Sequence, residues 1–244
     1  MIKIIIHITK FIIVTVTALL FASCHFNVNT VEGSGNVTTQ KRIVQGDFSK
    51  VSVSNAIDLV IIQSDTTEIV VEADDNIQKE ITTKVENGTL IIKCKYSSFR
   101  DVTKKTVTVK MPRINKLEAS SAATVMSKGI LQGEDIDLET SSASTMDVDL
   151  EFDNLSADSA SGSTMNLKGK ALTIRTSASS GSSINANKLF ANEVHAEVSS
   201  GGSTNVHPIL SLKAEASSGG SINYDITPKT IEKTASSGGS ISQG

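Results

Sequence analysis

One short phrase of small residues recurs through the second half of the chain and constrains its fold more than any other feature. Its last three copies run Ser199–Asn205, Ser217–Asn223 and Ser236–Ser242, and each begins Ser-Ser-Gly-Gly-Ser. Counted on the second serine, seven copies occur, spaced by 21, 19, 19, 20, 18 and 19 residues. These serines are Ser121, Ser142, Ser161, Ser180, Ser200, Ser218 and Ser237. A short fixed period predicts an architecture of stacked structural repeats.

The residues that precede each copy alternate between apolar or small and polar. Alternation places the residues six and two positions before the second serine on one inward face of a strand. The first column is Asn115, Ile136, Leu155, Ile174, Val194, Leu212 and Ile231; the second is Ala119, Thr140, Ser159, Ala178, Val198, Ala216 and Ala235. A coil of this length accommodates three short strands and three turns, and each coil buries its apolar face only against its neighbours. Residues 113–244 are therefore predicted to form a parallel β-helix.

The repeated phrase itself is expected to form a tight corner of the coil. Glycine tolerates positive φ, and small side chains let stacked backbones approach closely. A polar column follows the corner, and stacking in register would turn it into a ladder of hydrogen-bonded side chains. Its members are Asp147, Asn166, Asn185, Asn205, Asn223 and Ser242.

Residues 39–112 have the same strand character without the repeat. Their apolar residues follow a period of two, and Asn87-Gly88 is typical of a type I′ hairpin turn. Only 4% of the chain is aromatic, which suits a thin all-β fold better than a globular core. The net charge of −3 gives no reason to expect nucleic acid as a partner.

The amino terminus is typical of an exported protein. Residues 1–23 combine a basic start with an uncharged apolar stretch, as in a signal peptide. Cys24 resembles the acceptor cysteine of a bacterial lipoprotein, so residues 24–38 are interpreted as a lipidated cysteine and tether. Phe21 stands where the lipoprotein motif usually has leucine, which leaves an uncleaved anchor or an ordinary signal peptide as alternatives. Cys94 would then be the remaining thiol, interpreted as a buried strand residue.

Several motifs together resemble the head GIN domain family of bacterial envelope adhesins. They are Gly33–Val37, Phe48–Ser54, Val70–Asn76, Asn87–Ile92, the serine-glycine repeats, and Tyr224 with Pro228. The resemblance implies a right-handed β-helix exported to the envelope of Bacteroidota-like bacteria. It brings no catalytic motif.

The many serines do not form a catalytic signature. The sequence contains neither a Gly-x-Ser-x-Gly elbow nor a Ser-x-x-Lys pair. Glu193, His195 and Glu197 alternate along one strand, but the outer two would be about 13 Å apart, too far to share one metal ion. We interpret them as part of a solvated face.

One outward column is acidic. Three positions before the second serine stand Glu118, Glu139, Asp158, Glu197 and Glu215, interrupted by Ser177 and followed by Thr234. In stacked coils these carboxylates would repel one another at a spacing of roughly 5 Å. The column is a candidate for binding Ca²⁺ or a cationic surface, and the alternative is a solubilising face. No other cofactor is expected.

These features favour a non-enzymatic lipoprotein of the cell envelope, held at the outer membrane by its lipid and presenting a β-helix to a glycan or protein surface. The sequence leaves open which side of the membrane it faces. A polysaccharide-processing β-helix enzyme and a structural or assembly protein are the alternatives. The edge of the last coil also predicts end-to-end self-association.

Overall fold

The computed structural model describes residues 30–244 and four positions near the amino terminus, 10, 12, 14 and 15. Cys24, nearly all of the predicted signal peptide and residues 24–29 of the predicted tether lie outside the described residues. Among the residues described, no helix has the length and hydropathy needed to cross a membrane.

Residues 30–111 form nine strands and one helical turn, as the period-two pattern indicates. They are β1 (Thr30–Glu32), β2 (Val37–Arg42), β3 (Lys50–Val53), β4 (Asp58–Gln63), β5 (Glu68–Asp74), α1 (Asp75–Gln78), β6 (Ile81–Glu86), β7 (Thr89–Cys94), β8 (Ser98–Arg100) and β9 (Lys105–Met111). Strands β2, β5 and β9 pair antiparallel, and β6 and β7 form a hairpin whose turn residues Asn87 and Gly88 have φ of 50° and 73°. The predicted type I′ turn is confirmed.

Residues 116–243 form the repeat coils. Their strands are β10 (Lys116–Ala119), β11 (Thr124–Thr140), β12 (Thr145–Ser159), β13 (Thr164–Ala178), β14 (Ser183–Val198), β15 (Ser203–Ala216), β16 (Ser221–Tyr224), β17 (Thr230–Ala235) and β18 (Ser240–Gln243). Successive strands from β10 to β15 pair in parallel, and β16 and β17 both add to β15. Strands β3 and β4 extend the stack by pairing in parallel with β10 and β11. The predicted all-β fold with a parallel β-helix is confirmed.

The register of the coils matches the predicted inward columns. Ile136, Leu155, Ile174, Val194 and Leu212 stand opposite one another on successive strands, and each is at most 3% exposed. Ile231 and Ala235 keep this register on β17 but are exposed, because within residues 30–244 no further strand covers them. Asn115 departs from the columns, because it is exposed while the preceding Ile114 is buried. Assigning Asn115 to the core was wrong. Apolar burial selects the isoleucine, since an amide in its place would lose its hydrogen bonds to water.

Each complete coil differs from the expected arrangement of three strands and three turns. A single bent strand of 14 to 17 residues runs from one Ser/Gly corner to the next. The bend near the middle of the strand needs no turn, and in several coils it coincides with a positive-φ glycine or a register shift. At Gly169, where φ is 116°, a Cβ would lie 1.9 Å from the carbonyl oxygen of Leu150. We call this side of the helix the bend edge.

Differences in coil length are absorbed at the bend edge. The strand register shifts between Met126 and Ile130, between Asn166 and Lys168, and across residues 186–193. The Ser/Gly corners carry no register shift, so one edge of the helix is uniform and the opposite part of each coil varies.

The corner is built from two consecutive residues in the left-handed region. The second serine of every copy has φ between 48° and 55°, and the alanine or glycine after it has φ between 60° and 78°. Asn55 and Ala56 adopt the same pair of conformations, and the Ala56 N–H donates to the Ser121 carbonyl of the next corner at 2.9 Å. The sequence count of seven missed this eighth corner because Ser-Asn-Ala-Ile lacks the phrase. Asparagine is among the residues that tolerate the left-handed region.

The amino-terminal strands are fastened to the domain. Strand β1 pairs with β8, and β2 with β5, so residues 30–38, assigned from sequence to the tether, lie on the folded body. The buried carboxylate of Asp74 accepts the N–H groups of Gly35 and Lys104 at 2.9 and 3.0 Å. The Gly33–Asn36 motif therefore attaches the amino-terminal segment to the folded domain.

Candidate functional site

The outward side chains that precede each corner form one long face, which we call the charged face. Three parallel columns cross it, passing through Asp135, Asp137 and Glu139 of β11, and strand register places their members opposite one another. The middle column mixes signs: Lys116, Asp137, Ser156, Arg175, His195, Lys213 and Glu232. His195 thus lies between two cationic neighbours, as fits a solvated surface.

The acidic column exists as predicted in position and is divided in two. Glu118, Glu139 and Asp158 stand in register, Ser177 interrupts, and Glu197 and Glu215 continue the column. Lysines of the middle column offset part of the repulsion. Lys116 pairs with Glu139 of the next coil, and Lys213 Nζ lies 3.0 Å from Glu215 Oε1. The hydrogen bond from Lys116 to Glu139 raises the pKa of that lysine.

Asp158 is the carboxylate of the acidic column whose ionised form is disfavoured by its surroundings. Desolvation against the sheet raises its pKa, and the negative charges of Glu139 and Asp137 act in the same direction. A hydrogen bond from Ser156 opposes these effects. Burial and the neighbouring carboxylates therefore disfavour the ionised form of Asp158.

The geometry does not assemble these carboxylates into a cation site. Across residues 30–244, no group of three His, Cys, Asp or Glu side chains is placed to hold a metal ion. A strand face spaces its carboxylates along a line, whereas Ca²⁺ needs six to eight oxygen ligands around one point.

The corner serines are used in the structure of the stack. Ser144, Ser163 and Ser182 are buried and donate to carbonyl oxygens of the preceding coil, at 2.8, 3.0 and 2.6 Å. In residues 30–244 no serine hydrogen-bonds to a histidine; His207 Nδ1 lies instead 2.9 Å from Asp225 Oδ2. The serines thus have a packing role, as the recurrence of the corner indicates.

The face after the corner contains the predicted ladder. Asn185 donates to Asn166 and Asn205 donates to Asn185, both at 2.9 Å, and Asn223 donates to Asn205 at 3.3 Å. Ser242 extends the ladder, and Lys168 pairs with Asp147 at its other end. These side chains are satisfied by one another, so the ladder stabilises the stack more than it offers free groups to a ligand.

An apolar groove on the bend edge is the feature that sequence reasoning missed. We call it the bend groove; it has a volume of about 450 Å³ and spans parts of β12 to β15. Its apolar lining is Phe152, Ala171, Leu172, Phe190 and Ile209, and its polar neighbours are Glu151, Asp153, Lys170 and Asn192. Pairs of adjacent apolar residues were the available signal: in Ala171-Leu172 and Leu189-Phe190 the first residue is buried and the second is forced outward.

Comparison with known proteins supports the fold. A putative adhesin from Bacteroides fragilis has a similar solved structure, with a TM-score of 0.80 at 22% identity over 88% of this chain and all of that one. A putative adhesin from Parabacteroides merdae (TM-score 0.69, 22% identity, 88% and 99% of the two chains) and a putative lipid binding protein from Parabacteroides distasonis (0.72, 19%, 88% and 100%) are also similar. No curated protein matches the sequence significantly.

The sequence match extends beyond the repeats. A family model described as "putative auto-transporter adhesin, head GIN domain" covers residues 47–228, which include the antiparallel strands β5, β6, β7 and β9 and most of the coils. The match therefore includes the part of the chain in which the eighth corner lies as well as the Ser/Gly phrase. The chain belongs to the head GIN domain family of adhesin-like proteins.

Proposed function

We propose that this protein is a non-enzymatic lipoprotein of the cell envelope, anchored in the outer membrane through Cys24, which binds an extended glycan or protein surface along its β-helix. The observation that carries the proposal is the in-register lateral surface, where the same side-chain position recurs on every coil. Repetition of this kind suits an extended ligand, because each coil repeats the contacts of its neighbour.

The use of the corner serines argues against a serine nucleophile in this protein. Buried corner hydroxyls are occupied by carbonyl acceptors of the preceding coil. Nucleophilic catalysis requires a hydroxyl within reach of a general base. The family match adds the adhesin-like description.

The anchor is tested by fractionating cells that express the full chain with Cys24→Ala. We expect the wild type in the membrane fraction and the variant in the soluble fraction, since diacylglycerol on the thiol would provide the attachment. Cys94→Ala is the matched control, because Cys94 is a buried strand residue and its replacement should leave the chain membrane-bound. Membrane retention of the Cys24 variant would contradict lipid anchoring.

Adhesion is tested on intact cells. Deleting the gene is expected to reduce attachment to surfaces coated with polysaccharide or host protein, and restoring it should recover attachment. Protease shaving of the same cells reports which side of the membrane the protein occupies. New reducing ends released from a polysaccharide by the purified chain would instead favour the enzyme alternative.

A further inference from the structure

The bend groove exposes apolar side chains that the fold has no need to expose. Leu172, Phe190 and Ile209 are 52%, 46% and 41% exposed, whereas the inward columns of the same coils are almost fully buried. Surface apolar residues that cluster in a concave site, rather than occurring singly, mark ligand contact. The volume of about 450 Å³ lies in the range of small-molecule sites.

The aromatic rings of the groove are held in place before any ligand arrives. The ring of Phe190 meets that of His207 edge to face at 4.5 Å, and His207 is held in turn by Asp225. Phe152 packs over Gly133, where a Cβ would lie 2.6 Å from the ring. A prepositioned apolar surface loses little conformational freedom on binding.

The polar groups around the groove indicate which hydrogen-bonding groups a ligand must carry. Asp153 and Glu151 are acceptors, while Lys170 and Asn192 supply donors, and Lys170 Nζ lies 4.0 Å from Glu151 Oε1. Glu151 Oε2 already accepts a hydrogen bond from Gln132 Nε2 at 2.9 Å. Ionised carboxylates only accept hydrogen bonds, so any further bond to Glu151 or Asp153 has to come from a donor group of the ligand. These carboxylates would repel an anionic ligand. An acyl chain lying against them would displace their water without donating a hydrogen bond in return.

The size of the groove argues against a protein occupant. A standard protein interface covers about 800 Å² on each partner, and the groove offers three half-exposed apolar side chains with charges close around them. A sugar ring matches this layout better, since it has an apolar C–H face and an edge of hydroxyls that both donate and accept.

We propose that the bend groove binds a neutral oligosaccharide, with an apolar sugar face against Phe190 and Leu172 and hydroxyls bonded to Glu151, Asp153 and Asn192. This inference rests on the proposed adhesive function and assigns it a ligand class and a location. The bend groove thus adds a local sugar site to the in-register surface on which the proposed function rests.

The test is calorimetric titration of the full-length chain in detergent with maltotetraose, cellotetraose, mannotetraose and chitotetraose. We expect at least one to bind, and Leu172→Ser or Phe190→Ser to weaken it about tenfold. Ile130→Ser is the matched control: Ile130 is also an exposed apolar residue, 57% exposed, but lies outside the groove. Because Leu172 is half exposed, its variant should keep the wild-type melting temperature.

Three results would overturn the inference. These are binding of none of the four sugars, an equal loss in the Ile130 variant, and binding of laurate that Leu172→Ser abolishes. The cell attachment assay separates these failures from failure of the adhesive function. If attachment depends on the gene while the Leu172 and Phe190 variants attach normally, the adhesive function stands and the groove assignment falls.

Discussion

At the scale of the residue, each position in the corner is selected for a different reason. Gly201 has φ of 72° and open space around its Cβ position, and two earlier corners place Ala122 and Ala143 at the equivalent site. Gly202 has ordinary φ but little room, because a Cβ there would lie 2.7 Å from the Ala178 carbonyl oxygen. Gly201 is therefore favoured by its left-handed conformation, and Gly202 by the close approach of the preceding coil.

This distinction predicts a large difference between two neighbouring substitutions. Gly201→Ala should cost about 1 kcal/mol, the strain of a left-handed alanine. Corners with Ala123 or Ser144 at the equivalent site accommodate a Cβ, but Gly202→Ala should still cost about 3 kcal/mol, because at this corner the backbone of the preceding coil lies close and has to be displaced. Thermal unfolding followed by circular dichroism measures both. Equal losses would show that the corner relaxes freely.

Asp158 gives a pH-dependent prediction. Its pKa is raised in the folded state, so the folded protein holds this proton more tightly than the unfolded chain, and stability falls as pH rises through the window between the two pKa values. Asp158→Asn should therefore raise the melting temperature at pH 7 and give no gain near pH 3. Asp153→Asn, on the same strand, controls for the change in net charge. A gain at pH 7 that persists at pH 3 would contradict this explanation.

At the scale of the element, each coil is one bent strand joined to its neighbours by backbone ladders, and side-chain ladders add to them. Asn205 is an interior member of the amide ladder, since it donates to Asn185 and accepts from Asn223. Its neighbours lie in register on β14 and β16. Removing it interrupts the ladder between three coils at once.

Asn205→Ala should accordingly destabilise the protein by about 2 kcal/mol, at about 1 kcal/mol for each lost hydrogen bond. Asn192→Ala, which removes an asparagine of the preceding coil from outside the ladder, should change stability by less than about 0.5 kcal/mol. Denaturant unfolding of both variants makes the comparison. Similar losses would mean that the ladder contributes nothing beyond ordinary surface polarity.

The parts of the fold predicted from sequence were those that repetition makes visible. The inward columns, the corner and the amide ladder follow from alternation and period, because every coil repeats them. The bend was not predicted, since Gly169 and the register shifts differ from coil to coil. The groove was missed for the same reason: Leu172, Phe190 and Ile209 come together through the bend, and no shared spacing links them.

At the scale of the whole molecule, contacts are made mainly between neighbouring coils, so the stack should tolerate the loss of a complete unit. Deleting residues 161–179 removes 19 residues, one full period, and joins Ala160 to Ser180 with the corner intact. We expect a folded protein with an unchanged β spectrum and a lower melting temperature. Deleting residues 161–170 should unfold the coils, because it removes a corner and leaves a coil with only about half of its period. Similar behaviour of both deletions would contradict coil-by-coil stacking.

End-to-end self-association stays a prediction of the whole molecule. Lys233 occupies an inward position of the last coil, and its ammonium lies 4.4 Å from the centre of the Tyr224 ring. A contact between ends would have to remove this ammonium from water, which costs free energy and opposes the association. Light scattering over a concentration series checks the prediction, and a constant monomer mass would contradict it.

Length changes are confined to the bend edge, so the corners maintain the stack while the bend edge is free to vary. An evolving or engineered lineage could use this separation. Residues inserted or deleted at the bend alter the surface of a single coil and leave the corners, and hence the path of the axis, unchanged. New binding specificities could therefore arise one coil at a time, without changes in the packing of the core. A library that varies residues 187, 188, 190, 192 and 193 and keeps the buried Ala186, Leu189 and Ala191 would sample such specificities on a constant support.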